Sequence, residues 1–256
     1  MPSRTAPASS PLPATHISRG PYKRILLKLS GEAFCTAGGF GIDAAELRTI
    51  AGEIHDASKV GAQLAVVVGG GNIIRGAQLA AVGHIQRATA DYMGMLGTVI
   101  NALALKESLV ALGTECRVMS AIEIRAVAET FVRGRAMRHL DKGRVVILAA
   151  GTGNPFFSTD TGAALRATEL ECQVLVKATK VDGVYSADPK RDPTATRYDT
   201  LTFAEAMARR LSVMDMTALA MCQEHRLPVI VFEFKKPGNI RRVVQGESIG
   251  TLVSVG

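Results

Sequence analysis

The sequence predicts an α/β protein built on a mainly parallel sheet, and three observations carry that expectation. Short, mostly apolar runs recur at Arg24–Leu29, Gln63–Val68, Val145–Ala150 and Cys172–Ala178, each the length of a strand buried on both faces. Between them lie longer segments with helical spacing or helix-capping residues. The strand ends run into glycine-rich turns, on the side where open α/β sheets bind ligands. A chain of 256 residues suffices for one large domain or two closely packed lobes.

Taken in order, residues 1–21 hold five of the ten prolines among Ser, Thr and Ala, and predict a disordered tail without the apolar core of a signal peptide. The first strand, Arg24–Leu29, ends in Lys28-Leu29-Ser30-Gly31, a lysine beside a glycine turn. Phe34–Gly41 reads as a loop with three glycines. Asp43 and Glu46 form a capping box that opens a helix to about Val60. Gln63–Val68 ends in Gly69-Gly70-Gly71-Asn72, with Arg75 one turn later. Arg87–Leu112 reads as a long helix, apolar on almost every side from Tyr92 to Leu105. A helix without a wide polar face needs two covers, its own sheet and a second surface, for which a partner subunit is the natural candidate. Further expected elements are strands at Cys116–Met119, Arg144–Ala149, Val229–Glu233 and Thr251–Val255, and helices at Gly134–Asp141, from the Thr202–Glu205 capping box, at Asp215–His225 and at Asn239–Gln245.

Composition removes several classes of function. Four cysteines without a C-x-x-C pair argue against zinc and a disulfide framework, and point to a reducing compartment. The five histidines form no metal-ligand pattern. No apolar run approaches the roughly 18 residues that a membrane helix needs. Aromatic content of 5% with no Trp gives no stacking platform for single strands. The formal charge of +7 favours anionic partners, but scattered basic residues favour small phosphorylated ligands over nucleic acid.

The chemistry concentrates in Val145–Arg166. A buried strand runs into Gly151 and Gly153, the turn dipeptide Asn154-Pro155, and three cap candidates, Ser158, Thr159 and Asp160, before a helix. Free backbone N–H groups and the helix dipole make such a junction an anion site. Lys28 suits a mobile phosphate-reaching charge, and Arg75 suits a fork on phosphate oxygens. From its own segment alone, a surface lysine on an edge strand is the favoured reading of Lys28, and on spacing alone a helix cap is at least as good a reading of Asp91 as a ligand contact. Neither glycine stretch matches G-x-x-x-x-G-K-[ST] or G-x-G-x-x-G, which disfavours a Walker-type NTPase and a Rossmann dehydrogenase.

Together, Lys28-Leu29-Ser30-Gly31, the triple glycine with Arg75, TGNPFFSTD at 152–160 and VDGVYSADP at 181–189 resemble the amino-acid kinase family, and within it the uridylate branch. The resemblance covers Tyr22–Val255. It implies a three-layer αβα sandwich over residues 22–256, with an N-terminal UMP-binding lobe and a C-terminal ATP-binding lobe. Catalysis would rest on Lys28, Asp160 and Arg75. ATP would be held by Lys28, Leu29, Ser30, Gly31, Gly71, Arg75, Thr179, Tyr185 and Asp188. UMP would be held by Gly70, Asp91, Thr152, Gly153, Asn154, Pro155, Phe156, Phe157, Ser158 and Thr159. Mg²⁺ would arrive with ATP, held mainly by its phosphates. The family further implies a cytoplasmic homo-oligomer, a hexamer, with GTP activation and UTP inhibition. Lys177 and Lys180 stay unassigned, a solvated surface role being preferred for Lys180. The rival readings are an acylphosphate-forming kinase of the same fold, a non-catalytic nucleotide sensor and a nucleic-acid binder. The first lacks a use for TGNPFFSTD, and the retained Lys28 and Asp160 weigh against the second.

Overall fold

The protein is described by a computed structural model covering residues 21–75, 83–189 and 191–256, so residues 1–20 of the expected tail lie outside the described residues. In chain order the elements are β1 (Arg24–Leu29), α1 (Ala44–Ser58), β2 (Gln63–Val68), α2 (Arg87–Ala111), β3 (Cys116–Ser120), β4 (Glu129–Thr130), α3 (Arg133–Asp141), β5 (Val145–Ala149), α4 (Thr159–Glu169) and β6 (Val174–Thr179). They continue with β7 (Val184–Tyr185), β8 (Arg197–Tyr198), β9 (Thr200–Thr202), α5 (Phe203–Ala208), α6 (Met216–Glu224), β10 (Val229–Glu233), α7 (Asn239–Val244) and β11 (Thr251–Ser254).

Among the described residues, nine strands form one sheet in the order β4-β3-β5-β2-β1-β6-β10-β11-β9, parallel throughout except where β11 runs against β10. The short β7–β8 hairpin stands apart. The expected central strands are all present. The two-residue pairings and β9 were not anticipated, because so short a strand has no periodicity to read.

Alternation along each strand divides the apolar residues into two cores, the geometry of a three-layer αβα sandwich. On one face Ile25, Leu27, Val66, Ile147 and Val176 meet α1, α2 and α7. On the other Leu26, Val67, Leu148, Leu175 and Val231 meet α3, α4, α5 and α6. The same alternation decides where the lysines go. Lys28 shares the face of Leu26 and Lys177 that of Leu175, and the two are register partners across the β1–β6 pair. From β1 the chain lays β2 beside it, then β3 and β4 further out, fills the gap with β5, and returns to lay β6 on the other side of β1. That reversal makes β1–β6 a topological switch point, with its crevice at the strands' carboxyl ends.

Helix α2 shows how packing completes a pattern. Its Val99, Ala102, Leu105 and Leu109 enter the core, while Tyr92, Leu96 and Ile100 form an outward stripe, each more than two-fifths exposed. By length and composition α2 reaches what a bilayer span requires, contrary to the expectation from uninterrupted runs, but its inner face is committed to the sheet. Its buried Asn101 donates to the Gly69 carbonyl at 2.7 Å and to Asn72 Oδ1 at 2.6 Å, tying the helix to the triple glycine.

Two caps differ in detail from their sequence signatures. Asp43 accepts from the Ala45 and Glu46 amides, but the Glu46 carboxylate turns to Lys235 at 3.0 Å. At Thr202 and Glu205 both arms of the capping box form.

Candidate active site

The site begins where β1, β2, β5 and β6 end. Of the three cap candidates before α4, Ser158 takes the role, its hydroxyl accepting from the Thr161 amide at 3.0 Å. This leaves Asp160, in the first turn, free to point across the sheet. Its Oδ1 meets Lys28 Nζ at 2.8 Å and its Oδ2 meets Lys177 Nζ at 2.7 Å. All three side chains are largely buried. Lys28 is therefore an interior lysine rather than a surface one, and Asp160 is no mere cap.

Burial would raise the Asp160 carboxyl, but the two ammonium charges outweigh it and hold the group below the ordinary carboxylate range. Burial pushes Lys177 below the ordinary lysine value, reinforced by the like charge of Lys28 and opposed by Asp160. Lys177 also donates to the Val213 carbonyl at 2.6 Å. The sequence itself carries a signal for Lys177. A lysine near the end of a buried strand, in VLVKAT, repeats the placement of Lys28 in RILLKL.

On one side of this array lies a cavity of about 200 Å³. Of the residues expected around UMP, it is lined by Gly70, Asp91, Thr152, Asn154, Phe157, Ser158 and Thr159, and also by Gly71, expected on ATP. Gly153, Pro155 and Phe156 belong to the same loop but are not in its lining, and Phe156 is largely exposed. The turn uses left-handed backbone at Ala150, Gly151, Gly153 and Phe156. Two of these carry a Cβ, so the loop stores strain of about 1–2 kcal/mol at each. Thr98 of α2 supports it, its Oγ1 accepting from the Ala150 amide at 2.7 Å. Asp91 is not a cap, since Gln86 precedes the helix. Its carboxylate accepts from the Phe156 amide at 2.8 Å and pairs with Arg87 at 2.9 Å, closing the loop onto α2. Arg87 and Thr98 are functional candidates that one-dimensional spacing did not bring out.

On the other side a cavity of about 340 Å³ is lined by Lys28, Ser30, Glu32, Lys177, Thr179 and Lys180. Gly31, next to Ser30 of the second cavity, passes Gly71 of the first so closely that a Cβ on Gly31 would stand 2.5 Å from the Gly71 amide nitrogen. Arg75 lies at this junction, its Nη2 2.9 Å from Glu32 Oε1. Leu29, expected on ATP, has its side chain fully buried in the core on the α1 face, because alternation turns it away from Lys28. Tyr185 and Asp188 line a third cavity, of about 430 Å³, beside Arg209 and Arg210. Thr179, expected with them on the nucleoside, lies instead with the lysines, its hydroxyl donating to the Val181 carbonyl at 2.6 Å. A larger open depression of about 600 Å³, lined by Lys106, Arg117 and Arg125 among others, shares none of these residues.

Asp215 was anticipated only as a helix start. It caps α6 through the Ala218 amide at 3.0 Å, accepts from Thr161 Oγ1 at 3.0 Å and also bonds Ser158 Oγ. It thereby fastens the start of α4, and with it Asp160, to the C-terminal half of the protein.

Among the described residues no group of three or more His, Cys, Asp or Glu side chains could hold a metal ion. The carboxylates at the crevice are already engaged by cations. That donor set suits a metal delivered as a nucleotide complex, with phosphate and water as its ligands.

An interior cation pair organised by one carboxylate at a parallel-sheet switch point sets fixed positive charge at a ligand crevice, an arrangement suited to anionic groups. A profile of the amino acid kinase family matches residues 23–233, and the chain belongs to that family. Among solved structures it is similar to the UMP kinase of Bacillus anthracis, at 40% identity over 92% of this chain and 97% of that one, with a TM-score of 0.89. It is also similar to the UMP kinase of Ureaplasma parvum, at 37% identity over 91% and 98%, with a TM-score of 0.84. The uridylate kinase of Archaeoglobus fulgidus matches at 28% identity over 90% and 99%, with a TM-score of 0.69.

Substituting Asp160 by Asn removes the charge between two buried lysines. We expect a loss of about 3 kcal/mol at neutral pH, the usual cost of breaking a buried pair from one side. Because the folded Asp160 value is depressed, its contribution is complete above the ordinary aspartate range and is lost as pH falls through the folded value. Urea unfolding at several pH values should show the wild-type advantage shrinking below about pH 4.

Proposed function

We propose that this chain is an ATP-dependent UMP kinase, transferring the γ-phosphoryl group of ATP to UMP to give UDP and ADP. The observation that supports this most is the Lys28–Asp160–Lys177 array standing between the cavity of the 152–159 loop and the cavity at Ser30 and Thr179. The likeness to UMP kinases along nearly the whole chain supports the choice of acceptor.

In this reading the 152–159 loop and Asp91 hold the UMP nucleoside, with its phosphate toward Gly70, Gly71 and Arg75. Tyr185 and Asp188 hold the nucleoside of ATP, and its phosphates run past Ser30 and Gly31 to the lysines. An oxygen of the UMP phosphate attacks the γ-phosphorus in line, and the bond from that phosphorus to the β,γ-bridging oxygen breaks. The attacking oxygen is already ionised, so no general base is needed. Lys28 and Lys177 then stand where negative charge spreads over the transferring group, and Asp160 keeps both ammonium groups aimed at it. When bound with ATP, Mg²⁺ would supply further charge neutralisation on the phosphates. Pyrimidine nucleotide biosynthesis in the cytoplasm is the setting that follows. The outward stripe of α2 supports a homo-oligomer built on that helix, and the family resemblance points to a hexamer assembled from such dimers.

A coupled assay tests the acceptor: UMP should exceed CMP and AMP by about 100-fold in kcat/KM, and equal rates with CMP would discard uridylate as the substrate. Lys28→Ala should lose about 3–4 kcal/mol of transition-state stabilisation, chiefly in kcat, whereas an unchanged kcat would remove Lys28 from the chemistry. For assembly, Leu96→Glu with Ile100→Glu should shift the protein to monomer in sedimentation while leaving it folded. Val99 is unsuitable for this test because it lies in the protein's own core.

A further inference from the structure

Among the described residues, four cations converge on the crevice, and the two carboxylates that balance them differ in kind. Asp160 is buried, lies on an eleven-residue helix and bridges the interior lysines. Glu32 lies on the single 3₁₀ turn after Ser30, is about two-fifths exposed, and bridges the outer pair. Its Oε1 takes Arg75 Nη2 at 2.9 Å and its Oε2 takes Lys180 Nζ at 2.8 Å. Arg75 follows the triple glycine beside the acceptor cavity, and Lys180 follows β6 in the lining of the donor cavity. Glu32 thus spans the two halves with one oxygen on each.

We propose that Arg75 and Lys180 form a single anion subsite for a phosphoryl group, and that Glu32 is its resident occupant, exchanged for nucleotide phosphate on binding. Resting on the phosphotransfer reading, the proposal adds a role for Lys180 and a competitor for its ligand. The chemistry favours exchange. A carboxylate and a phosphate offer the same paired oxygens to a guanidinium and an ammonium, and the phosphate brings more charge. Arg75 is further steadied by its Nε donating to the Gly71 carbonyl at 3.3 Å, so it keeps its place when Glu32 leaves. Asp160 cannot make the same exit, because it would abandon two buried ammonium groups. Glu32 leaves behind only half-exposed partners that water can solvate. Its carboxyl lies below the ordinary glutamate range through the Lys180 hydrogen bond, against a smaller effect of burial, so it is charged and paired at neutral pH.

An exchanged ion makes a prediction opposite to that for an ordinary binding residue: removing it tightens the ligand. Calorimetric titration with inorganic tripolyphosphate, and separately with a Mg²⁺ complex of a non-hydrolysable ATP analogue, should show Glu32→Gln binding about threefold to tenfold more tightly than wild type. That is the release of two half-exposed ion pairs. Glu32→Asp keeps the charge but not the span across both cations, and should fall between the two. Melting curves check that each variant is folded. Equal or weaker binding by folded Glu32→Gln overturns the exchange, and if the wild type still phosphorylates UMP, the kinase reading stands without it. Failure of both proteins to bind either polyphosphate overturns the exchange and the kinase reading together.

Discussion

Two lysines in register at the ends of adjacent parallel strands would repel each other inside a protein unless an anion stood between them. Asp160 is that anion, and much of the surrounding structure serves to keep it there. Ser158 takes the cap of α4, so that Asp160 can face the sheet. Asp215 fastens the same helix start to α6 through Thr161 and Ser158. The Val213 carbonyl steadies Lys177 from the opposite side. The positive end of α4 further favours a carboxylate in its first turn. The arrangement is costly to desolvate, and its geometry makes sense as a preorganised charge array rather than as a source of stability.

The acceptor side is organised differently, through α2. One helix supplies Asp91 to the loop, Thr98 to the strained Ala150 turn and Asn101 to the triple glycine, while its inner apolar residues hold the sheet. Left-handed Ala150 and Phe156 are unfavourable conformations that persist because both ends of the loop are tied. The same helix carries the outward stripe of Tyr92, Leu96 and Ile100 on its opposite side.

Between these halves the crevice carries one buried and one half-exposed carboxylate, and their burial assigns them different fates. Asp160 stays because leaving would strand charge in a low-dielectric interior. Glu32 can go because water replaces it. The crevice is therefore partly neutralised when empty and becomes more positive when the outer carboxylate swings away, which matches a site that receives polyanions.

Much of this was legible in one dimension. Apolar runs mark the central strands because a strand buried on both faces has few polar positions, and glycine turns mark their ligand ends. The TGNPFFSTD and VDGVYSADP stretches marked both loops, since close backbone approach and special torsions demand particular residues. Other features depend on distance between segments and have no local signature. Spacing could not choose among Ser158, Thr159 and Asp160 as the cap. It could not reveal that Lys177 faces Lys28, that Leu29 turns into the opposite core, or that Glu32 reaches Arg75 and Lys180. The sequence by itself determined which strands are buried and which turns can approach a phosphate, because burial and torsion act on neighbouring residues. Only the tertiary structure decided which charges meet, because register, strand order and the face each side chain takes are set by contacts between residues far apart in the chain.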